Sequence, residues 1–182
     1  MLVMTSWQQI DGWLTESEGL ALRDLAAGKH VLEIGSLFGR STVCMAEVAT
    51  QVVSVDPHLG QAIEGTRWEN QSTLEDFFNN LSAHGVCHKV VPVVAPIETA
   101  SPLLNSMFDL VFVDGDHSHE ACLRDCEIAW RLLDLNGTIA VHDYGTGYRH
   151  LAGVTSAVNQ FRRDHACAIR RVNSLAILDR FL

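Results

Sequence analysis

Two groups of residues in this sequence have the types and spacing to do chemistry. The first is Glu33-Ile-Gly35-Ser36-Leu-Phe-Gly39-Arg-Ser41, with Asp56 following 21 residues after Gly35. Glycines let a backbone turn sharply and approach a ligand, and a helix starting behind such a loop presents N–H groups without intrahelical partners. A carboxylate ending the second strand can accept both hydroxyls of a ribose. A dinucleotide site wants G-x-G-x-x-G and room for a pyrophosphate. Here the spacing is G-x-x-x-G, and Glu33 suits a cationic group such as an amino-acid ammonium far better than a diphosphate. A glycine pair alone would be a plain strand-to-helix turn. Glu33 and Asp56 together point to a nucleoside with a cationic tail.

The second group is Asp114-Gly-Asp116-His117-Ser-His119 together with His142-Asp143-Tyr144. If both segments end parallel strands, they are neighbours on the edge that carries the loop. Asp114, His142 and Asp143 can then converge on a divalent metal, with water and substrate oxygens completing its shell. Such a metal lowers the pKa of a bound hydroxyl. His117, three residues past Asp114, can take the proton as general base, or bind the metal itself. The remaining polar residues have plainer readings. Asp116 favours a helix N-terminus, His119 is expected at a helix surface, and His58 and His150 are expected in solvent within loops.

The elements that must position these residues follow from patterning. Thr15 and Glu18 form a capping box opening a helix to Gly28, and Ser72 with Glu75 form another, opening a helix that ends before Gly85. Helices are also expected over 41–50, from Ser118 to Asp134, and near 154–164. Short apolar runs at 30–35, 52–56, 90–94, 108–114 and 137–143 read as buried strands. Two further strands, 166–172 and 174–180, form a tight hairpin about Asn173. Pro92 cannot donate to a ladder, so the third strand belongs at an edge. Strands without polar alternation, alternating with helices, mean an α/β fold with a mostly parallel sheet covered on both faces. The irregular stretch His58–Gln71, with its lone Trp68, follows a strand's C-terminal end, where ligands bind.

Length and composition are consistent with one domain over residues 1–182, at 47% hydrophobic and 19% charged. A net charge of −9 argues against nucleic acid or an anionic membrane as partner. No signal peptide and no membrane-length apolar run is visible. Five scattered cysteines without a CxxC suggest neither a disulfide framework nor a zinc site, and fit a reducing, cytoplasmic setting. Cys122 and Cys126, one turn apart, read as small core residues.

At these residues the sequence resembles the class I S-adenosylmethionine (SAM)-dependent methyltransferases. It is closest to the small metal-dependent O-methyltransferases of the macrocin O-methyltransferase-like group, with catechol O-methyltransferase more distant. VLEIGSLFGRST resembles that group's SAM loop, FDLVFVDGDHSHEACLRD its fourth strand and next helix, and GTIAVHDYG its fifth strand. The resemblance spans about residues 12 to 180. It implies a Rossmann-like seven-stranded sheet of order 3-2-1-4-5-7-6. It implies that Glu33, Gly35, Ser36, Gly39 and Ser41 line the methionine end, that Asp56 holds the ribose, and that Ala95, Pro96 and Ile97 border the adenine. Asp114 would serve both cofactor and metal, Asp143 and position 142 would complete the metal ligands, and His117 would be the base. Relatives carry a carboxylate where this chain has His142, which shifts preference from magnesium towards softer divalent ions. The adenine-edge segment VAPIE also lacks the small Gly and polar residue common there. The expectation is a SAM-dependent O-methyltransferase acting on a small hydroxylated acceptor, with a homo-oligomer left open. A nicotinamide-dependent oxidoreductase and a SAM-binding module without catalysis are the alternatives.

Overall fold

The computed structural model describes residues 6–60, 69, 71–105 and 107–180. Trp68 and most of the irregular stretch around it lie outside the described residues. Seven strands form one sheet: β1 (His30–Ile34), β2 (Gln51–Val55), β3 (Val90–Val93), β4 (Phe108–Val113), β5 (Leu133–Val141), β6 (Ala168–Val172) and β7 (Leu175–Asp179). Their order is β3-β2-β1-β4-β5-β7-β6. The pairs from β3 to β5 are parallel, and β7 runs antiparallel to both β5 and β6.

Side-chain alternation along the strands builds two cores. Val31, Val52, Leu110, Ala140 and Ile177 face α1 (Glu16–Ala26), α2 (Arg40–Ala46) and α3 (Leu74–Ala83). Leu32, Ile34, Val111, Ile139 and Leu178 face α4 (Ile97–Ala100), α5 (His119–Leu132) and α6 (Ala152–Asp164). A central strand buried on both faces must be apolar at every position, which is why these strands read as runs. Cys122 and Cys126 lie in the second core as free thiols. Among the described residues no helix is long and apolar enough to cross a membrane.

Pro92 sits in edge strand β3. Val93 O accepts from Asp56 N on the β2 side, so the alternating backbone directs position 92 outward, where a missing N–H costs nothing. The Thr15–Glu18 capping box forms. The Ser72–Glu75 box does not. Thr73 is the N-cap of α3, and Ser72 Oγ accepts only from Leu74 N, one residue too early for a box. Helix α2 begins at Arg40 and stops at Ala46, shorter than expected. Strand β5 begins at Leu133, directly after α5, because Leu133 already pairs with Phe108. The β6–β7 turn uses Asn173, at φ 50°, and Ser174.

Candidate active site

The strand order reverses beside β1, whose neighbours are β2 and β4. The loops leaving these strands open a crevice at their carboxyl ends. Gly35 leaves β1 at φ 86°, and a Cβ there would collide with the backbone carbonyl of Asp114. The first loop and the fourth strand's end therefore touch backbone to backbone, which only glycine permits.

Glu33 lies beneath that loop and is fully buried (0% exposed). It shares the sheet face of Val31, under the start of α2. Its Oε1 accepts from Ser41 Oγ at 2.6 Å, and its Oε2 accepts from Ser54 Oγ at 2.9 Å and from Thr42 Oγ1. Burial pushes its pKa up to about 7 against those three hydroxyls, and the charge of Asp114 adds to the rise. Glu33 is thus enclosed by the protein's own donors and braces the loop. Ser41, Thr42 and Ser54 fill three of the about four lone-pair sites of this carboxylate, which was expected to meet the cationic end of a ligand.

Asp56 holds the loop from the other side. Its Oδ2 accepts from Ser36 N at 2.7 Å and Leu37 N at 2.9 Å, and its Oδ1 accepts from His58 N at 2.6 Å. A carboxylate offers about four lone-pair sites, so roughly one remains for a ligand hydroxyl. Leu37 and His58 both take the left-handed backbone conformation, at φ 48° and 54°. Ser36 is 5% exposed, and its Oγ has no hydrogen-bond partner. A buried hydroxyl without a partner is costly, and this one sits in the loop that would cradle a ligand. Gly39 caps α2 at φ 85°. Pro96 caps α4 just past β3, whose Val93 carbonyl is bonded to Asp56 N, so Ala95, Pro96 and Ile97 adjoin the Asp56 corner. His58, expected in solvent, is 3% exposed. Its Nδ1 lies 2.9 Å from Thr73 Oγ1 and its ring against Phe77, and burial lowers its pKa.

The second cluster assembles where β4 and β5 end. Backbone bonds from Asp114 N to Ile34 O and from His142 N to Val113 O fix both segments. His142 is 4% exposed. Its Nδ1 lies 3.3 Å from Asp114 Oδ1 and 3.6 Å from Asp143 Oδ2, and its Nε2 lies 3.4 Å from Glu18 Oε2. Burial alone would lower its pKa, but the charge and bond of Asp114, the bond of Glu18 and the charge of Asp143 raise it to about 11. His117 Nε2 lies 3.2 Å from Asp143 Oδ2. That bond raises the His117 pKa in spite of burial. Burial would raise Asp143, but His117 and His142 hold it below the usual carboxylate range. Asp143 takes φ 62°, a left-handed conformation that a non-glycine residue adopts at some cost.

The donor set suits a divalent cation, with one substitution. Asp114, His117 and Asp143 can each offer one ligand atom, all within 4.8 Å of one another. Two carboxylates and an imidazole match such an ion. His142, expected as a ligand, is absent from that group. Its two nitrogens are turned to Glu18 and to Asp114. His119, expected at the surface, is partly buried with its Nδ1 enclosed and unpartnered. His150 is exposed. Asp116 accepts from Ser118 N, and Ser118 caps α5 through Ala121 N.

Glu18 belongs to this site and was legible only as a cap. It reaches His142 across 124 residues of chain, and no local spacing signals such a contact.

A family model described as a methyltransferase domain matches residues 32–144. Among solved structures, cofactor-bound Rv0187 from MTB is similar at 23% identity, over 94% of this chain and 84% of that one, with TM-score 0.70. The O-methyltransferase TomG from Streptomyces achromogenes, involved in tomaymycin synthesis and solved with SAM, matches at 21% identity, over 88% and 76%, with TM-score 0.64. An O-methyltransferase from Bacillus cereus, solved with SAH, matches at 16% identity, over 94% and 82%, with TM-score 0.66.

Proposed function

The chain belongs to the methyltransferase domain family, and on that footing we propose that it transfers the methyl group of SAM to a hydroxyl of a small molecule. One observation carries the reading. The Asp56-clamped loop, with its unpartnered Ser36 hydroxyl, meets the Asp114–His117–Asp143 cluster through the Gly35–Asp114 backbone contact. A cofactor in the loop would therefore end beside the cluster. The SAM and SAH held by TomG and the Bacillus cereus enzyme support the choice of cofactor.

In the proposed reaction an acceptor oxygen attacks the methyl carbon, the carbon–sulfur bond breaks, and S-adenosylhomocysteine leaves. The hydroxyl proton goes to His117. Asp143 bonds Nε2 of that ring, which orients it and leaves Nδ1 to receive the proton. Gly35, Ser36, Gly39 and Ser41 shape the methionine end, with Glu33 bracing them from below. Asp56 bonds a ribose hydroxyl, Pro96 borders the base, and Asp114 faces the methionine ammonium. A divalent cation, our second proposed cofactor, would be held by Asp114 and Asp143 next to His117, and would make the acceptor hydroxyl more acidic.

Calorimetric titration tests this. S-adenosylhomocysteine is expected to bind and NAD is not. Binding of NAD with no binding of S-adenosylhomocysteine would mark the loop as a dinucleotide site and overturn the proposal.

A further inference from the structure

Glu18 makes more bonds than a helix cap requires. A capping box needs one carboxylate oxygen turned back to the N-cap backbone, and such residues are normally exposed. Glu18 is 1% exposed. Its Oε1 accepts from Ser174 N at 2.9 Å and Ser174 Oγ at 2.6 Å. Its Oε2 accepts from Thr15 N at 2.9 Å and Thr15 Oγ1 at 2.6 Å, and also faces His142 Nε2. A buried carboxylate is retained only when its partners offset the loss of water. Here those partners come from three places: the start of α1, the β6–β7 turn and the end of β5.

The geometry at His142 shows what this arrangement does. The backbone of His142 is held by Val113, while its ring packs against Phe112 and is fixed in rotation by the bonds at its two nitrogens. Glu18 takes one end, and Asp114 and Asp143 take the other. Without Glu18 the ring loses one of two anchors, and both carboxylates lose a partner of fixed position. Asp143 then carries the change to His117, its other partner.

We propose that Glu18 is a positioning residue: acting through His142, it sets the placement of Asp114 and Asp143, and with them His117. The proposal rests on the methyl-transfer reading only in taking those three residues as the reacting centre. Long-range proton–nitrogen NMR of the histidine rings in the full chain tests it without an acceptor. In Glu18→Gln the ring signals of His142 and His117 are both expected to shift. In Ser174→Ala, which strips one donor from the far oxygen of Glu18, the thermal midpoint is expected to fall while both rings keep their signals. If Glu18→Gln does not fold, Glu18→Asp keeps the charge but withdraws it from His142, and the same shifts are expected. Unchanged His117 signals in a folded Glu18 variant, or equal shifts in Ser174→Ala, would overturn the proposal. Titrating S-adenosylhomocysteine into the wild-type sample reads the cofactor separately, so a failure there leaves the Glu18 result standing.

Discussion

The cofactor loop and the carboxylate–histidine cluster lie on one sheet edge and both bury acids, yet they settle those acids in opposite ways. Glu33 and Asp56 are met by hydroxyls and backbone N–H groups, all neutral donors. For the fully buried Glu33, desolvation wins and its pKa rises. Asp143 and Glu18 are met by imidazoles. There the partners outweigh desolvation: His117 and His142 hold Asp143 low, His142 together with Ser174 and Thr15 holds Glu18 low, and both histidines are raised. The fully buried carboxylate met by hydroxyls alone is pushed up, and the two that also face an imidazole are held down. The loop's acids tie backbone and hydroxyls into one shape, and the cluster's acids are paired with titratable rings.

The sharpest way to break this contrast is to remove an imidazole. His117→Ala is expected to lower kcat by about 10²–10⁴-fold while leaving S-adenosylhomocysteine affinity unchanged by calorimetry. A fall in Mn²⁺ affinity in the same variant would reassign His117 from base to ligand. An unchanged rate would remove it from the mechanism.

A smaller effect is expected in the loop. Asp56→Ala loses the acceptor of three backbone N–H groups and of one ligand hydroxyl. Cofactor binding should weaken by about 1–3 kcal/mol, as for a charged hydrogen-bond partner. If instead affinity holds and only the thermal midpoint falls, Asp56 supports the loop without touching the ligand.

The smallest effect is in pH dependence. The Glu33 pKa rises from 4.5 to about 7 on folding. Its contribution to stability is therefore present below pH 4.5 and lost as pH rises through about 7. Glu33→Gln removes that slope, so the variant should gain thermal midpoint relative to wild type across this window. His142, raised from 6.5 to about 11, contributes fully below 6.5 and loses its contribution progressively as pH rises from there through about 11. An acidic-to-neutral limb belonging to Glu33 and an alkaline limb belonging to His142 would confirm the division. An acidic-to-neutral limb that persists unchanged in Glu33→Gln would contradict it.

What the sequence could reveal divides along the same line. Strand runs, the Pro92 edge and the G-x-x-x-G loop are local patterns, and each stands where the spacing put it. The site's internal bonds are not local. Ser54 reaches Glu33 from another strand, and Glu18 reaches His142 from the other end of the chain. The bonds by which Glu33 braces the loop are not visible in sequence, because its three hydroxyl partners become neighbours only on folding. The contact between His142 and Glu18 is hidden for the same reason, since Glu18 does not face that ring until α1 packs. His58 reads as a loop residue, and only packing against Phe77 and Thr73 buries it. Ser72 and Glu75 have the right spacing for a cap, yet Thr73 takes the place.

The sheet ends in two open strands, and each open strand is a template on which another copy could polymerise. The two ends are closed to that by different chemistry. At β3, a four-residue strand with Val91 exposed within it and Val94 exposed just past it, Pro92 deletes an outward donor, so an incoming strand finds too few partners to register. At β6 the exposed Arg170 and Arg171 place charge along the rim. A strand added there would have to bury the Arg171 charge and the Arg170–Asp179 pair along its seam, which disfavours edge-to-edge pairing.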